Sequence, residues 1–219
     1  GWQGFTFKYY VSLLHSKEVL RAFSNTMMIA FFSTIVSTVL GVITALGLSN
    51  KKFSGQKLLG GLIFLPLIMP DILMGVSLAL FYYFLRVRTG MMTVLIAHIT
   101  FCVSYAIIVI RSRLEGFDQS LEEAAMDLGA NQWQIFWRIK FPLMMPGIVA
   151  AALLAFTLSI DDFIITFFTT GRGFNTLPIY VEGAIRRGVI TTINALSTLM
   201  IGMTFMLAVL GKRFRKFLF

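Results

Sequence analysis

Residues 111–142 read "RSRLEGFDQSLEEAAMDLGANQWQIFWRIKFP" and form the most polar long stretch of the chain. Gly129 is suited to end a first short helix, and Asn131 is suited to begin a second one. The aromatic residues Trp133 and Trp137 fall on one side of that second helix. The stretch therefore predicts two short helices joined by a turn, with an apolar side that favours a docking partner over packing on the chain's own helix ends.

On both sides of this loop the sequence is strongly apolar. Of 219 residues, 57% are hydrophobic and only 13% are charged, whereas a soluble domain is about one quarter charged. A helix crosses a bilayer with roughly 20 apolar residues. Segments that meet this length lie at 25–48, 58–85, 91–110, 141–168 and 194–211. We therefore predict an all-α membrane protein in which residues 1–219 form a single transmembrane domain with five spans.

The basic residues indicate the orientation of these spans. Eleven of the nineteen Lys and Arg lie in three regions, 51–57, 111–140 and 212–216, which the positive-inside rule places in the cytoplasm. Residues 1–24 then form an external segment, in which "SKEVLRAF" (16–23) predicts a short surface helix with Ser16 as its cap. The chain starts at Gly1 rather than Met, and we expect a preceding segment with a probable sixth span. Because the basic residues mark loops, the net charge of +9 does not indicate nucleic-acid binding.

Three of the ten acidic residues lie inside apolar segments, where no Lys or Arg is found. Asp71 follows a proline in "LPLIMPDILMG" (65–75), and Asp161 and Asp162 are adjacent in "LSIDDFIIT" (158–166). A charged side chain near the bilayer centre costs roughly 2.5–3.5 kcal/mol. Protonation, cations of a partner subunit, a wet cavity or a cationic ligand would offset that cost.

A structural interpretation of the three carboxylates is that they cap half-helices. Pro66 and Pro70 predict a broken or kinked helix just before Asp71. Asp162 is placed to cap a helix that restarts after a second break. This interpretation explains one acid per break and leaves the adjacent Asp161 without a role.

A functional interpretation is that the carboxylates line a cavity. Neighbours on a straight helix project about 100° apart, so the adjacent pair would face two walls. Ser159 and Thr166 share one helix face with Asp162 by their spacing. Carboxylates together with aromatic rings suit an amine cation, and the aromatic residues nearby in sequence are Phe156, Phe163 and Phe167.

The polar loop also carries a specific spacing. It reads Glu-Ala-Ala at 123–125, three residues, Gly129, nine residues, Ile139, one residue, and then Phe-Pro at 141–142. This pattern resembles the EAA motif of ABC importer permeases, with Phe141 in the place of the usual Leu.

The resemblance implies that residues 112–140 form a cytoplasmic coupling-helix loop between the third and fourth spans. The first short helix of this loop would be the coupling helix that docks on an ATPase subunit. Small side chains at Ala124 and Ala125 would allow close approach to a groove there. Glu123 would pair with a base of the ATPase or cap locally, and Gly129 would make the sharp turn. No G-x-x-x-x-G-K-[ST] phosphate loop occurs in the sequence, so the nucleotide site is expected on the partner.

Over essentially its whole length the chain resembles the PotC-type permease family of bacterial spermidine/putrescine importers. The stretches that carry this likeness include "GWQGFTFKYY", "MPDILMGVSLAL", "AHITFCVSYAIIV", "FPLMMPGI" and "FTLSIDDFI". The resemblance implies the fold of a type I ABC importer permease. It also implies a polyamine path lined by Asp71, Ser159, Asp161 and Asp162, with Tyr9 as an aromatic residue in the external segment.

The function implied by this family is ATP-driven import of polyamines across the bacterial inner membrane by alternating access. The chain would be a non-catalytic subunit without a metal or cofactor of its own, and ATP and Mg would bind to the ATPases. Its expected partners are a homologous second permease, two ATPase subunits, an external polyamine-binding protein and the lipid bilayer. The single cysteine, Cys102, excludes a disulfide or a Cys-based zinc site within the chain.

Other functions stay open at this point. Within the same class, the chain would be an ABC permease for another cation or small solute. From a different class, it would be a proton-coupled secondary transporter or a cation channel that uses the Asp residues as a relay, which the EAA spacing opposes. A scaffold that only binds a partner through its loop would leave the three acids unexplained.

Overall fold

The computed structural model of the chain describes residues 6, 8–50, 54–116, 118, 120–188, 194–202, 205–206 and 209. The regular elements are helices, and the described residues contain no strand, in agreement with the predicted all-α class. The helices are α1 (Lys8–His15), α2 (Lys17–Asn50), α3 (Gln56–Ile68), α4 (Asp71–Phe84), α5 (Met91–Glu115), α6 (Ser120–Asp127), α7 (Gln132–Ile135), α8 (Phe141–Asp161), α9 (Ile164–Thr169) and α10 (Leu177–Arg186), with a π-helical turn at Phe136–Lys140.

The frame of the fold is a packed group of the three long helices α2, α5 and α8. Each is part of a helical stretch that is long and apolar enough to cross a bilayer. Helices in lipid associate mainly through close van der Waals packing, which small residues permit. Gly41 of α2 lies directly against Ala106 of α5, and Gly147 of α8 lies against Arg113 of α5. Glycines therefore lie where α2 and α8 each pack against α5.

The second apolar segment is broken, as its two prolines predicted. Helices α3 and α4 meet at an angle of 113°, and the turn lies at Met69 and Pro70. Met69 is extended, with φ −70° and ψ 134°, because the ring of the following proline disfavours helical backbone there. Pro70 also has no N–H to continue the helix. Asp71 thus becomes the first residue of a new helix.

The fourth segment is broken too, at the acidic pair. Helix α8 ends at Asp161, Asp162 is extended with φ −66° and ψ 121°, and α9 begins at Ile164. The break at Asp162 agrees with the interpretation of Asp162 as the cap of a restarted helix, and the alternative of a straight helix through the pair is wrong. Helix α9 packs on α4, where Gly75 leaves room for Phe168, so the halves that follow the two breaks lie against each other.

The N-terminal part differs from expectation in one respect. The segment "SKEVLRAF" (16–23) was expected to form a separate surface helix, but residues from Lys17 onward are the first turns of α2. Nothing in this stretch breaks a helix, since it has no proline or glycine before residue 41. Ser16 begins the helix as expected, because its hydroxyl accepts a hydrogen bond from the Val19 N–H at 3.4 Å.

The predicted fifth span, 194–211, lies only partly within the described residues. Residues 194–202 are helical, and Ala195 and Leu196 pack with Leu13 and Leu177 in a small apolar cluster beside α1, α2 and α10. The remainder of this predicted span lies mostly outside the described residues. The structure therefore agrees with three long spans and one broken segment of the five predicted.

Two glycines of α2 provide a matched test of the frame. A methyl group on Gly41 would lie 2.9 Å from the Cβ of Ala106, so we expect Gly41→Ala to lower stability by about 1–3 kcal/mol. Gly47 has nothing within 4 Å of the same position, so Gly47→Ala should be neutral or stabilise by up to about 1 kcal/mol. Thermal unfolding of the purified protein measures both; equal effects would contradict the close crossing.

Candidate functional site

The three carboxylates that the sequence singled out line one cavity of about 260 Å³. It lies between the two broken segments and α5. No Lys or Arg occurs among its lining residues within the described chain, which are Pro66, Asp71, Phe101, Tyr105, Thr157, Leu158, Asp161, Asp162 and Ile165. The breaks thus bring Asp71 to the same space as the adjacent pair, although about 90 residues separate them in sequence.

Asp71 lies in the first turn of α4 and is exposed to the cavity. The N-terminus of a helix carries a partial positive charge, which favours a carboxylate at this place. Within the described part of the chain, the Asp71 side chain makes no hydrogen bond and no ion pair. Its two oxygens are therefore available to a ligand.

Asp161 is the last residue of α8 and is also exposed. The C-terminus of a helix carries a partial negative charge, so a carboxylate is unfavourable there. Among the residues that the structure describes, none donates a hydrogen bond to the Asp161 side chain or forms an ion pair with it. Asp161 thus contributes nothing evident to the fold, which strengthens its assignment to a ligand.

Asp162 has a different environment, because it caps the helix that restarts after the break. Its Oδ1 accepts a hydrogen bond from the Ile165 N–H at 3.2 Å. Its Oδ2 accepts one from the Thr166 N–H at 2.8 Å and another from the Thr166 hydroxyl at 2.7 Å. The side chain is only 9% exposed. The two halves of the acidic pair therefore differ, with Asp162 engaged by the protein and Asp161 left open.

The analysis of the sequence missed His98, which lies on α5 and is 1% exposed. Its Nδ1 is 2.7 Å from the Ser159 hydroxyl, and its Nε2 is 2.8 Å from the Thr166 hydroxyl and 3.3 Å from Asp162 Oδ2. The signal was present in "AHIT", because an ionisable residue inside a membrane span is a candidate functional residue by default.

Ser159 and Tyr9 are not among the residues that line the cavity. Ser159 is 2% exposed, and its hydroxyl accepts a hydrogen bond from Ser33 of α2 at 3.0 Å in addition to its contact with His98. Tyr9 lies in α1 and is 37% exposed. Of the five residues assigned to the path, the structure brings Asp71, Asp161 and Asp162 to the cavity, while Ser159 lies behind it.

The aromatic rings at the cavity come from α5, not from the neighbourhood of the acidic pair in sequence. Phe101 and Tyr105 line the cavity, and they are spaced one helical turn apart. Of the phenylalanines predicted nearby, Phe163 and Phe167 contact each other with ring centroids 5.6 Å apart. A cation in the cavity would therefore meet the rings of α5.

The polar loop forms the predicted pair of short helices. Gly129 follows α6 with φ 79°, a backbone conformation that favours glycine. Asn131 begins α7, where its side chain accepts from the Gln134 N–H and the Gln134 side chain accepts from the Asn131 N–H, both at 2.9 Å. Before α6, a hydrogen bond from the Ser120 N–H to Asp118 holds the pKa of that carboxyl below its usual value.

Helix α6 is attached to the membrane helices through Glu122 and leaves Glu123 outward. The Glu122 carboxylate is 2.8 Å from Lys140 Nζ in the π-helical turn, and Lys140 is buried. Glu123 and Ala124 are exposed, and Ala125 is half-buried. Glu123 and Ala124 thus lie on the outer surface of α6, which faces away from the membrane helices. The ion pair of Glu122 with Lys140 fixes the position of α6.

Large apolar side chains surround this surface. Leu128 is 89% exposed and Trp133 is 70% exposed. Trp137 is partly covered by Phe141, with ring centroids 4.9 Å apart. Exposed apolar patches of this kind mark interaction sites, so the surface formed by α6 and α7 is a candidate docking surface.

Groups of three or more His, Cys, Asp or Glu side chains arranged to hold a metal ion are not found among the described residues.

Comparison with known proteins agrees with the geometry. The family described as "Binding-protein-dependent transport system inner membrane component" matches residues 37–218. The chain is 36% identical, over 95% of its length and 79% of the relative's, to the spermidine/putrescine transport system permease protein PotC of Escherichia coli K12. It is 40% identical to the putrescine transport system permease protein PotI of the same organism, over 92% of this chain and 74% of that one.

Solved structures share the fold. A bacterial ABC transporter involved in the import of the acidic polysaccharide alginate matches with a TM-score of 0.76 and 14% identity, over 98% of this chain and 84% of that one. The MetNI methionine ABC transporter in an inward-facing conformation matches with a TM-score of 0.75 and 17% identity, over 97% and 99%. The predicted type I ABC importer permease fold is confirmed.

The difference between the two adjacent acids is testable by stability. Asp162→Ala removes the cap of α9, and we expect it to lower the free energy of unfolding by about 1–2 kcal/mol. Asp161→Ala is the matched control, because it removes a carboxylate without a described partner at an unfavourable helix end and should leave stability unchanged or slightly raised. Thermal unfolding of the purified protein in detergent measures both; equal losses would contradict this division.

Proposed function

Because the chain belongs to the family of binding-protein-dependent transport system inner membrane components, we propose that it is the permease subunit through which an ATP-driven importer moves polyamines into the cytoplasm. Transport proceeds by alternating access of the cavity between the two broken segments. The observation that carries this proposal is Asp161, an exposed carboxylate without a described partner, placed at the unfavourable end of α8. An acid inside an apolar segment that has no described partner in the protein is a candidate for binding a cation.

Polyamines match the chemistry of the cavity. Their amines resemble the lysine side chain, with pKa values near 10, so at neutral pH they are linear polycations. Asp71 and Asp161 supply two open carboxylates, and the rings of Phe101 and Tyr105 supply surfaces for cation–π contacts. Pockets for drug-sized ligands occupy roughly 300–1,000 Å³, so a cavity of about 260 Å³ suits a thin, flexible molecule.

The relatives support the same substrate class, since the names of the two Escherichia coli proteins refer to spermidine and putrescine. The site must also release its substrate. A hydrogen bond to a charged group contributes about 1.5–3 kcal/mol, so two open carboxylates hold a polyamine by only a few kcal/mol. A weak site of this kind is suited to conduction rather than to storage.

The remaining parts of the importer are separate subunits in this proposal. A homologous second permease would complete the membrane path, and an external polyamine-binding protein would deliver the substrate. Two ATPase subunits would bind ATP and Mg and hydrolyse the nucleotide, while this chain has no catalytic role. The exposed Glu123 and Ala124 and the apolar side chains of Leu128 and Trp133 support α6 and α7 as the surface for an ATPase.

Uptake of radiolabelled putrescine by the reconstituted importer tests the role of the open carboxylates. Asp161→Asn and Asp71→Asn each remove a charge-assisted contact worth about 1.5–3 kcal/mol, so we expect KM to rise roughly tenfold or more. The double variant should abolish putrescine-stimulated uptake. Radiolabelled spermidine and basic amino acids are measured alongside to identify the substrate class.

Glu18→Gln is the control for these variants, because it neutralises an exposed acid at the start of α2, away from the cavity. It should leave KM unchanged. Uptake that survives Asp71→Asn and Asp161→Asn together would refute the proposed role of the cavity.

A bulky side chain on α6 tests the docking surface. Ala124 is exposed, and close approach of a partner requires a small residue there, so Ala124→Trp should prevent co-purification of the ATPase subunits. Ser54→Trp adds the same bulk to another exposed position on the predicted cytoplasmic side and should not affect them. Unchanged co-purification of the Ala124→Trp protein would show that the ATPases bind elsewhere.

A further inference from the structure

His98 joins three elements at a point that the cavity itself does not reach. It lies on α5, and it contacts Ser159 near the end of α8, Asp162 at the break and Thr166 in α9. It is 1% exposed, and Ser159 and Thr166 are equally buried at 2% and 0%. A substrate in the cavity therefore does not touch His98, but His98 holds both halves of the helix that the substrate does touch.

The hydrogen bonds of this group have one consistent direction. The Thr166 hydroxyl donates to Asp162 Oδ2, so at its 2.8 Å contact with His98 it accepts, and Nε2 carries the hydrogen. The Ser33 hydroxyl donates to Ser159, which leaves the Ser159 hydroxyl free to donate to Nδ1 at 2.7 Å. A continuous series of hydrogen bonds thus runs from Ser33 of α2 through Ser159, His98 and Thr166 and ends at the Asp162 carboxylate.

This series of hydrogen bonds determines which of the two adjacent carboxylates, Asp161 or Asp162, is available to a ligand in the cavity. Asp162 accepts from two backbone N–H groups and from the Thr166 hydroxyl, with the His98 Nε2–H 3.3 Å away. Its lone pairs are directed into the protein. Asp161, one residue earlier, is left exposed to the cavity. The orientation of the Asp161 carboxylate depends on the backbone of the break, which Asp162 and His98 hold.

We propose that His98 is a positioning residue for transport, which clamps the break between α8 and α9 so that Asp162 caps α9 and Asp161 faces the substrate. His98 acts through these two residues rather than on the substrate. The inference rests on the proposed function for the role of Asp161 at the substrate and for the choice of putrescine as the transported probe.

Two substitutions of the histidine separate a positioning role from general stability. A glutamine amide reaches the position of Nε2, whereas an asparagine amide reaches only that of Nδ1. In the complete reconstituted importer, His98→Asn therefore loses the contacts with Thr166 and Asp162 and should raise KM for putrescine about tenfold, with kcat within about twofold. His98→Gln should raise KM less. Thr100→Val is the control, since it removes an exposed hydroxyl two residues along α5.

A double-mutant cycle tests whether His98 acts through Asp161. In an Asp161→Asn background, we expect His98→Asn to raise KM by less than about twofold, because the group that it positions has lost its charge. Thr166→Val removes the hydroxyl that links His98 to Asp162 and should reproduce the effect of His98→Asn. It also carries the test if the His98→Asn importer does not assemble.

Amide hydrogen exchange at Ile165 and Thr166, measured in the same importers without polyamine, reports the clamp directly. We expect His98→Asn or Thr166→Val to accelerate exchange at these two amides about tenfold, since they lose the fixed acceptor at Asp162. Unchanged exchange would overturn the clamp. An equal rise in KM with and without Asp161, or a loss of folded importer with KM unchanged, would reduce His98 to a structural residue and overturn the proposal.

The proposed substrate and the proposed role of His98 can be refuted independently of each other. If the wild-type importer takes up putrescine while the cycle shows no coupling, only the role of His98 is refuted. If the wild-type importer does not take up putrescine but exchange at Ile165 and Thr166 still rises in the variants, the proposed substrate is refuted and the positioning of the break is supported.

Discussion

A broken helix inside a membrane must satisfy its own backbone, because hydrocarbon offers no hydrogen-bond partners and each unsatisfied group costs several kcal/mol. The break after Asp161 exposes the first amides of α9. Asp162 accepts from two of them, and Thr166 and His98 surround that carboxylate. The break is therefore stable only as a unit of side chains from α5, α8 and α9. The position of Asp161, and with it the cavity, follows from that unit.

The frame around the break works by close packing and by hydrogen bonds across helices. Thr93 of α5 donates to the Thr169 carbonyl at the end of α9 at 2.8 Å, and Tyr82 of α4 donates to the Thr93 carbonyl at 3.0 Å. Gly75 allows Phe168 to lie directly on α4. These contacts tie the second halves of both broken segments to α5. Because both segments are attached to α5, a movement at one break would displace α5 and thereby affect the position of the other break.

Much of this arrangement could be predicted from the sequence, because the signals were local. Pro66 and Pro70 predict the first break, and the turn residues Gly129 and Asn131 predict the two short helices. Asp162 could be proposed as a helix cap from the sequence, because a polar residue just before a new helix is a local signal. The exposure of Asp161 to a cavity depends on contacts between helices, which a pattern of side chains does not give.

Other features depend on contacts between distant segments. The rings of Phe101 and Tyr105 reach the cavity from α5, which proximity in sequence to the acids does not reveal. Glu122 holds α6 because Lys140 lies in a π-helical turn that composition does not reveal. His98 was detectable in principle, as the one histidine of α5, but its three partners lie at a helix break about 60 residues later.

The location of the open carboxylates also bears on how a substrate can drive movement. A ligand shifts an equilibrium between two conformations only by the difference in its affinity for them. Asp71 follows the break between α3 and α4, and Asp161 precedes the break between α8 and α9. A cation that contacts both is sensitive to the relative position of two separately broken segments. Any rearrangement at either break changes the distance between the two charges and would therefore change the affinity. If Asp71 and Asp161 bind the cation as proposed, the same two residues would also couple its presence to the conformation of the permease.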